Sequence, residues 1–297
     1  MARVILNGKK AHQEDFRQAV DALRSQGAEI EVRVTWERED PRRFVEEAVR
    51  DGVRRLVAAG GDGTLHEIVN GLYFVSREKR PELAIVPMGT GNDFATACKV
   101  PLDPMESLRL AVFGEPVSID LASANDQIFI NVATGGFASA ASRTLPASLK
   151  NLLGGSAYRL AAALKAFNFA PGTGRIKAEG VELSGSALAG AVCNGRQAGG
   201  GQVLAPSAFL NDGLLDVIII LTFPVTDVGQ VINEFFDKSN SGKYVKRFKT
   251  SWLDLWPSEK RTINLDGEPY EADFIHFEVL PGALEMVLPK DCPCIRG

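Results

Sequence analysis

The residues of this chain whose types and spacing could do chemistry gather first in Gly60, Gly61, Asp62, Gly63 and Thr64. The apolar run Leu56 to Ala59 precedes them, and Leu65, His66, Glu67, Ile68, Val69, Asn70, Gly71 and Leu72 follow. That pattern reads as strand, tight turn, helix. Glycine lets the backbone turn sharply and lets a bulky anion come close, while the helix start offers unpaired N–H groups and its positive dipole end. Phosphate is the natural ligand of such a place. The stretch is not a Walker A loop, because no Lys-Ser/Thr pair follows its last glycine, and it does not fit the G-x-G-x-x-G spacing. Asp62 adds a constraint. A carboxylate inside a phosphate cradle repels its ligand unless a divalent cation lies between them, which points to a metal-bound nucleotide such as Mg-ATP. The simpler alternative is a strand-to-helix turn in which Asp62 only caps the helix.

The elements around this turn follow a regular rhythm. Val4 to Leu6 is a short buried strand ended by Asn7, Gly8 and Lys9, and the helix from Glu14 to Gln26 carries Phe16, Ala19, Val20 and Leu23 at helical spacing before Gly27. Ile30, Val32 and Val34 alternate with Glu31 and Arg33 in a second strand that ends at Thr35, and Pro41 opens a helix closed by Gly52. The third strand delivers the chain to Gly60. Strand-helix alternation calls for a parallel sheet, whose ligands collect at the carboxyl ends of its strands, so Asn7, Thr35 and Gly61 are expected near one another. The strand Leu83 to Val86, the turn Pro87 to Gly91 and a helix from Asn92 put a second glycine-rich loop at the same edge. There Thr90 could bond a phosphate or ribose oxygen, whereas Asp93 could serve a ligand or merely cap its helix.

Composition bounds the remaining possibilities. The chain has 297 residues, enough for about two domains, with 45% hydrophobic and 24% charged residues. The formal net charge of -4 shows no sequence-wide basic footprint of a nucleic-acid binder. Residues 1 to 10 are too short in their apolar part for a signal peptide, and no apolar stretch reaches the length of a membrane span. A cytoplasmic location is therefore expected, with Cys98, Cys193, Cys292 and Cys294 as free thiols. None of their spacings is a metal-binding pattern.

After Gly114 the texture changes. Strand-like runs at Val117 to Leu121, Ile128 to Val132, Arg175 to Leu183, Ala187 to Asn194, Leu214 to Leu221, Thr262 to Leu265 and Phe274 to Leu280 indicate a second, β-rich domain beginning near residue 121. The expected division is 1–120, with 285–297 returning to it, and 121–284. Leu145 to Phe169 reads instead as apolar helix with Lys150, Arg159 and Lys165 beside it, a candidate lipid-facing element or a domain-covering one. Lys243, Lys246, Arg247 and Lys249 form the densest basic cluster, with a solvated face as its default reading.

Gly60 to Thr64 and Gly89 to Asp93, followed by a β-rich half, together resemble the diacylglycerol kinase catalytic family. The run Asn194 to Gly201, then Ala205-Pro206, then Asn211 to Leu215, and finally Asp266, Gly267, Glu268 and Pro269 look like the bacterial YegS-type lipid kinases of that family. The resemblance extends from Ile5 to Pro293. The first motif alone is shared with NAD kinases; the combination is far more specific. It implies an α/β fold: an N-terminal parallel-sheet α/β nucleotide-binding domain of NAD kinase-like type plus a C-terminal β-rich sandwich domain.

By the same resemblance, the activity is ATP-dependent phosphorylation of a free hydroxyl on a glycerolipid, phosphatidylglycerol or diacylglycerol, presented at a membrane surface that the protein visits transiently. ATP falls to Thr35, to the segment Gly61, Asp62, Gly63, Thr64, Leu65, His66 and Glu67, and to Thr90. A second cation site, suited to Mg²⁺ or Ca²⁺, falls to Phe209, Asp212 and Leu214; from the residues alone, Asn211-Asp212-Gly213 is a hairpin turn. Proton acceptance falls to the acidic turn and is assigned to Glu268, with Asp266 as the close competitor. Basic residues often surround the phosphates in this family, and Lys9 is the one candidate at this edge. Two other functions stay in view: a kinase for a soluble hydroxyl such as that of NAD, and an ATP-sensing regulator that transfers nothing. Oligomeric state is not legible.

Overall fold

A computed structural model describes residues 1–136, 171–237 and 241–297 of the chain. The expected apolar helix at Leu145 to Phe169 lies outside the described residues.

Strands β1 (Ala2–Leu6), β2 (Ile30–Val34), β3 (Arg55–Gly60) and β4 (Glu82–Pro87) lie side by side in the order β2-β1-β3-β4, all parallel. Helices α1 (Glu14–Ser25) and α2 (Asp40–Arg50) supply the crossovers, followed by α3 (Asp62–Tyr73), the short α4 (Asp93–Ala97) and α5 (Pro104–Phe113). Strands buried on both faces need continuous apolar runs, and Arg55 to Gly60 is buried throughout. The spacing of Phe16, Ala19, Val20 and Leu23 gives α1 one apolar stripe, and all four side chains are buried against this sheet. Leu65, Ile68, Val69 and Leu72 do the same for α3 on the opposite face.

The second half is largely antiparallel. Strand β5 (Pro116–Ala124) turns into β6 (Gln127–Phe129), β7 (Val132–Gly135) follows, and β8 (Gly172–Ala178) and β9 (Val181–Cys193) form a long hairpin. The run expected as one strand, Arg175 to Leu183, is broken by the turn at Glu179-Gly180, where Gly180 takes φ 68° and the chain reverses. Strands β10 (Gln197–Ala198) and β11 (Gln202–Val203) make a small separate ribbon around the three consecutive glycines. Then come β12 (Leu215–Leu221), α6 (Val228–Phe236), β13 (Val245–Thr250), β14 (Trp252–Pro257), β15 (Arg261–Leu265), β16 (Glu268–Ala272) and β17 (Ile275–Val287).

The long strand β17 joins the halves. Its Ile275 to Glu278 pair with β14, its Leu284 to Val287 pair with β5, and Met286 sits in parallel register with Leu83 of β4. Among the described residues, fifteen strands thus belong to one hydrogen-bonded sheet. The division expected near residue 121 falls inside β5. The basic cluster also differs from its solvated reading: Val245 to Thr250 is a strand paired with β12, and Arg247 turns inward to bond the carbonyl oxygens of Phe235 and Leu204.

Candidate active site

The carboxyl ends of the parallel strands bring the first group of residues together. Asn7, just past β1, donates from Nδ2 to the Thr64 hydroxyl at 2.9 Å, and the Gly8 N–H donates to the Thr35 hydroxyl at 3.1 Å. Asn7, Thr35 and the start of α3 are therefore neighbours, as the strand order requires. Thr64 is buried and its hydroxyl faces the protein, so what α3 offers outward is the set of first-turn amides. The two glycine loops touch directly: a Cβ on Gly89 would fall 2.5 Å from the Gly61 Cα. No larger residue lets these backbones meet. Asn92 closes the second loop, adopting φ 52° and accepting the Gly89 N–H on Oδ1 at 2.8 Å. Thr90 is exposed at its tip.

Asp62 and Asp93 form a relay between the halves. The Asp62 carboxylate does not cap its own helix; it accepts the N–H groups of Asp93 at 3.0 Å and Phe94 at 3.1 Å, and so caps α4. Asp93 in turn accepts the N–H groups of Gly200 at 2.9 Å and Gly201 at 2.6 Å. The capping role left open for Asp93 thus belongs to Asp62, and Asp93 ties α4 to the glycine ribbon. Burial pushes the Asp62 carboxyl above its ordinary value; the two N–H groups oppose this, and the negative charges of Asp93 and Asp266 add to it.

The acidic turn between β15 and β16 closes the other side. Asp266, at φ 51°, accepts three backbone N–H groups: Ile130 at 2.8 Å, Asn131 at 2.9 Å and Val132 at 2.9 Å. Its side chain is 2% exposed, and His66 of α3 approaches it through Nδ1 at 3.3 Å. Asn70, one turn further along α3, bonds both the N–H and the carbonyl of Ile128. Burial opposes a proton on His66, but the Asp266 carboxylate, with Glu268 and Glu67 beyond it, outweighs burial and raises the imidazole above its ordinary value. Glu67 is raised too, by burial and then by the facing Glu268. Glu268 itself opens β16 and is exposed. One turn therefore holds two carboxylates in opposite states: Asp266 is saturated with donors, and Glu268 is open to the cleft.

The second-domain positions are arranged around a lysine. The ammonium of Lys249 lies 3.1 Å from Asp212 Oδ2 and 2.9 Å from Asp216 Oδ2, and donates to the Ser207 carbonyl at 3.1 Å. Its charged end also faces the Phe209 ring at 5.9 Å. Asp212 accepts the Leu214 N–H at 3.2 Å. This donor set does not fit a bound Mg²⁺ or Ca²⁺ as it stands, because an ammonium already supplies the positive charge that Asp212 faces.

Every sequence-predicted nucleotide residue lies on the strand-end side, and Asp266 and Glu268 face it from the β-rich half; Phe209, Asp212 and Leu214 form a separate group. Sequence reasoning missed the reach of Asp93 to Gly200 and Gly201, and it missed Trp36, 92% exposed beside Thr35. Trp36 lies two residues past the end of β2, with its ring left unburied at the strand-end edge. It also missed Asp120, buried between the N–H groups of Gly213 and Gly282.

Comparison with known proteins agrees with this architecture. Residues 1–124 match the family model of the diacylglycerol kinase catalytic domain, and residues 131–288 match that of the YegS C-terminal NAD kinase beta sandwich-like domain. A probable lipid kinase YegS-like of Shewanella frigidimarina is 44% identical over 99% of this chain and 95% of its own length. A probable lipid kinase YegS of Salmonella newport is 40% identical over 99% of this chain and 97% of its own. A crystal structure of a putative diacylglycerol kinase from Bacillus anthracis superposes with a TM-score of 0.81 at 26% identity, covering 98% of this chain and 97% of that one. The two-part match, nearly end to end, means that this chain belongs to the diacylglycerol kinase catalytic family and is a kinase with the YegS-type C-terminal domain.

Proposed function

We propose that the chain transfers the γ-phosphate of ATP to a free hydroxyl of a glycerolipid, phosphatidylglycerol or diacylglycerol. The observation that carries this reading is the meeting of the phosphate-loop helix with the acidic turn, through His66 and Asp266, which sets an unsaturated carboxylate opposite an anion-binding helix start. In this reading the N-terminal unit, 1–120 with 285–297, is the nucleotide body, and 121–284 supplies the acceptor side.

Thr35, the segment Gly61 to Glu67, and Thr90 would hold the nucleotide, with the first-turn amides of α3 on its phosphates and the Trp36 face available to its base. The Glu268 carboxylate takes the proton of the lipid hydroxyl as that oxygen bonds to the γ-phosphorus and ADP departs. Asp266 and His66 hold the turn that presents Glu268. A divalent cation fits beside Asp62, because Asp62, Asp93 and Asp266 concentrate negative charge there, offset by backbone N–H groups and, at Asp266, by His66; when bound, Mg²⁺ would neutralise phosphate charge. No step is assigned to a cation at Phe209, Asp212 and Leu214. Among the described residues no helix is long and apolar enough to cross a membrane, so the lipid would be met at a bilayer surface.

The test offers radiolabelled ATP and Mg²⁺ with phosphatidylglycerol or diacylglycerol in mixed micelles, and NAD in parallel. Label in the organic phase is the expected result, and its distribution ranks the lipids. Label on NAD alone would make this a soluble-hydroxyl kinase. ATP binding without transfer to any acceptor would make it a sensor.

A further inference from the structure

Behind the phosphate-loop wall, one thiol meets two others that lie far from it in sequence. Cys98 follows α4 directly, Cys292 and Cys294 lie in the segment after β17, and their Sγ atoms are all within 4.8 Å of one another. Each is buried, at 1%, 7% and 1% exposure respectively. The sequence spacing hides the group, because Cys98 reaches the other two only when the C-terminal segment packs on α4.

We propose that Cys98, Cys292 and Cys294 form a three-thiolate site for one thiophilic cation, Zn²⁺, which staples α4 to the C-terminal segment. A cation bound by thiolates at about 2.3 Å sets their sulfurs roughly 3.8–4.0 Å apart, so small side-chain rotations from the present spacing suffice. Thiolate ligands select soft or borderline cations over Mg²⁺ and Ca²⁺, which separates this site from any phosphate-bound cation. The carbonyl oxygen of Ala97, 3.2 Å from Cys294 Sγ, is the oxygen at hand for a fourth position.

Charge also balances. Binding exchanges the thiol protons for the cation, and three thiolates with one Zn²⁺ leave a single negative charge. Arg196 faces it: the guanidinium bonds the carbonyl oxygens of Ala208, at 2.8 Å, and of Pro293, between the two cysteines.

The position gives the site a consequence. The other end of α4 is capped by Asp62 and sends Asp93 to the glycine ribbon, while the Cys294 carbonyl accepts the Leu210 N–H at 2.8 Å beside the Asn211-Asp212 turn. A cation here fixes α4 from behind and holds both halves around the cleft.

The experiment is native mass spectrometry and elemental analysis of the full chain, grown with zinc and purified under reducing conditions without chelator. One zinc per chain is expected, lost in Cys98→Val and in Cys294→Ser and kept in Cys193→Ser. Should the triad variants fail to fold, growth of the unaltered chain with Co²⁺ decides the matter, since thiolate ligation gives an intense near-ultraviolet charge-transfer band. A folded wild-type chain with no stoichiometric metal, cobalt bound without that band, or a mass two hydrogens light with no metal would each overturn the proposal.

Discussion

Both walls of the cleft are acidic, but they use their carboxylates differently. On the N-terminal wall, Asp62 and Asp93 each accept two backbone N–H groups, one on each oxygen, linking α3 to α4 and α4 to the glycine ribbon and leaving lone pairs free. On the C-terminal wall, Asp266 takes three such bonds and Glu268, two residues on, is exposed. A carboxylate whose oxygens are fully engaged, as in Asp266 with three N–H groups and His66, is a fastener; one that faces solvent keeps its lone pairs for a substrate. The difference supports the proposed division, with Asp266 positioning the turn and Glu268 accepting the proton, a choice that spacing alone leaves open.

That contrast can be broken at several points. Glu268→Gln should leave melting temperature and ATP affinity unchanged while lowering phosphoryl transfer by about 10²- to 10⁴-fold in a steady-state assay. Asp266→Ala should act on the fold instead. It orphans three buried N–H groups and puts alanine at φ 51°, so urea denaturation should show a loss on the order of 3–5 kcal/mol. Gly89→Ala drives a Cβ into the Gly61 backbone 2.5 Å away; overpacking of this kind costs about 1–3 kcal/mol, and calorimetry should find weaker ATP binding as the two loops part.

The smallest effect is a pH dependence. His66 titrates higher in the folded chain than its ordinary value of 6.5, so the stability it contributes is fully present below that value and fades as pH rises through the folded pKa. Melting curves across this interval should decline for the wild type, and the decline should flatten in His66→Gln.

Much of the N-terminal half is legible because its signals are local. The stripe on α1 and the run in β3 are each written within a dozen residues, and strand-end placement then brings Asn7, Thr35 and Gly61 together. Failures of the sequence reading have the opposite character. Lys249 looks solvated in a basic run, yet pairing of β13 with β12 points it at Asp212 and Asp216. Asp93 looks like a helix cap, but its partners lie in another ribbon, and Cys98 has no relation to Cys292 and Cys294 until the C-terminal segment returns. The turn at Glu179-Gly180 differs again, because its signal is local: the apolar positions shift phase there, from Ile176 and Ala178 to Val181 and Leu183, around a glycine.

The most direct test of the division between fastener and base is the first turnover. Glu268→Gln and Asp266→Asn, each preloaded with ATP and Mg²⁺, are mixed with the glycerolipid, and the rate of label transfer is read beside the melting temperature of each protein. Glu268→Gln is predicted to fold and bind but scarcely transfer, whereas Asp266→Asn is predicted to melt lower yet transfer at a near-normal rate below its melting point. Full transfer by Glu268→Gln, with transfer abolished in a stably folded Asp266→Asn, would contradict the account.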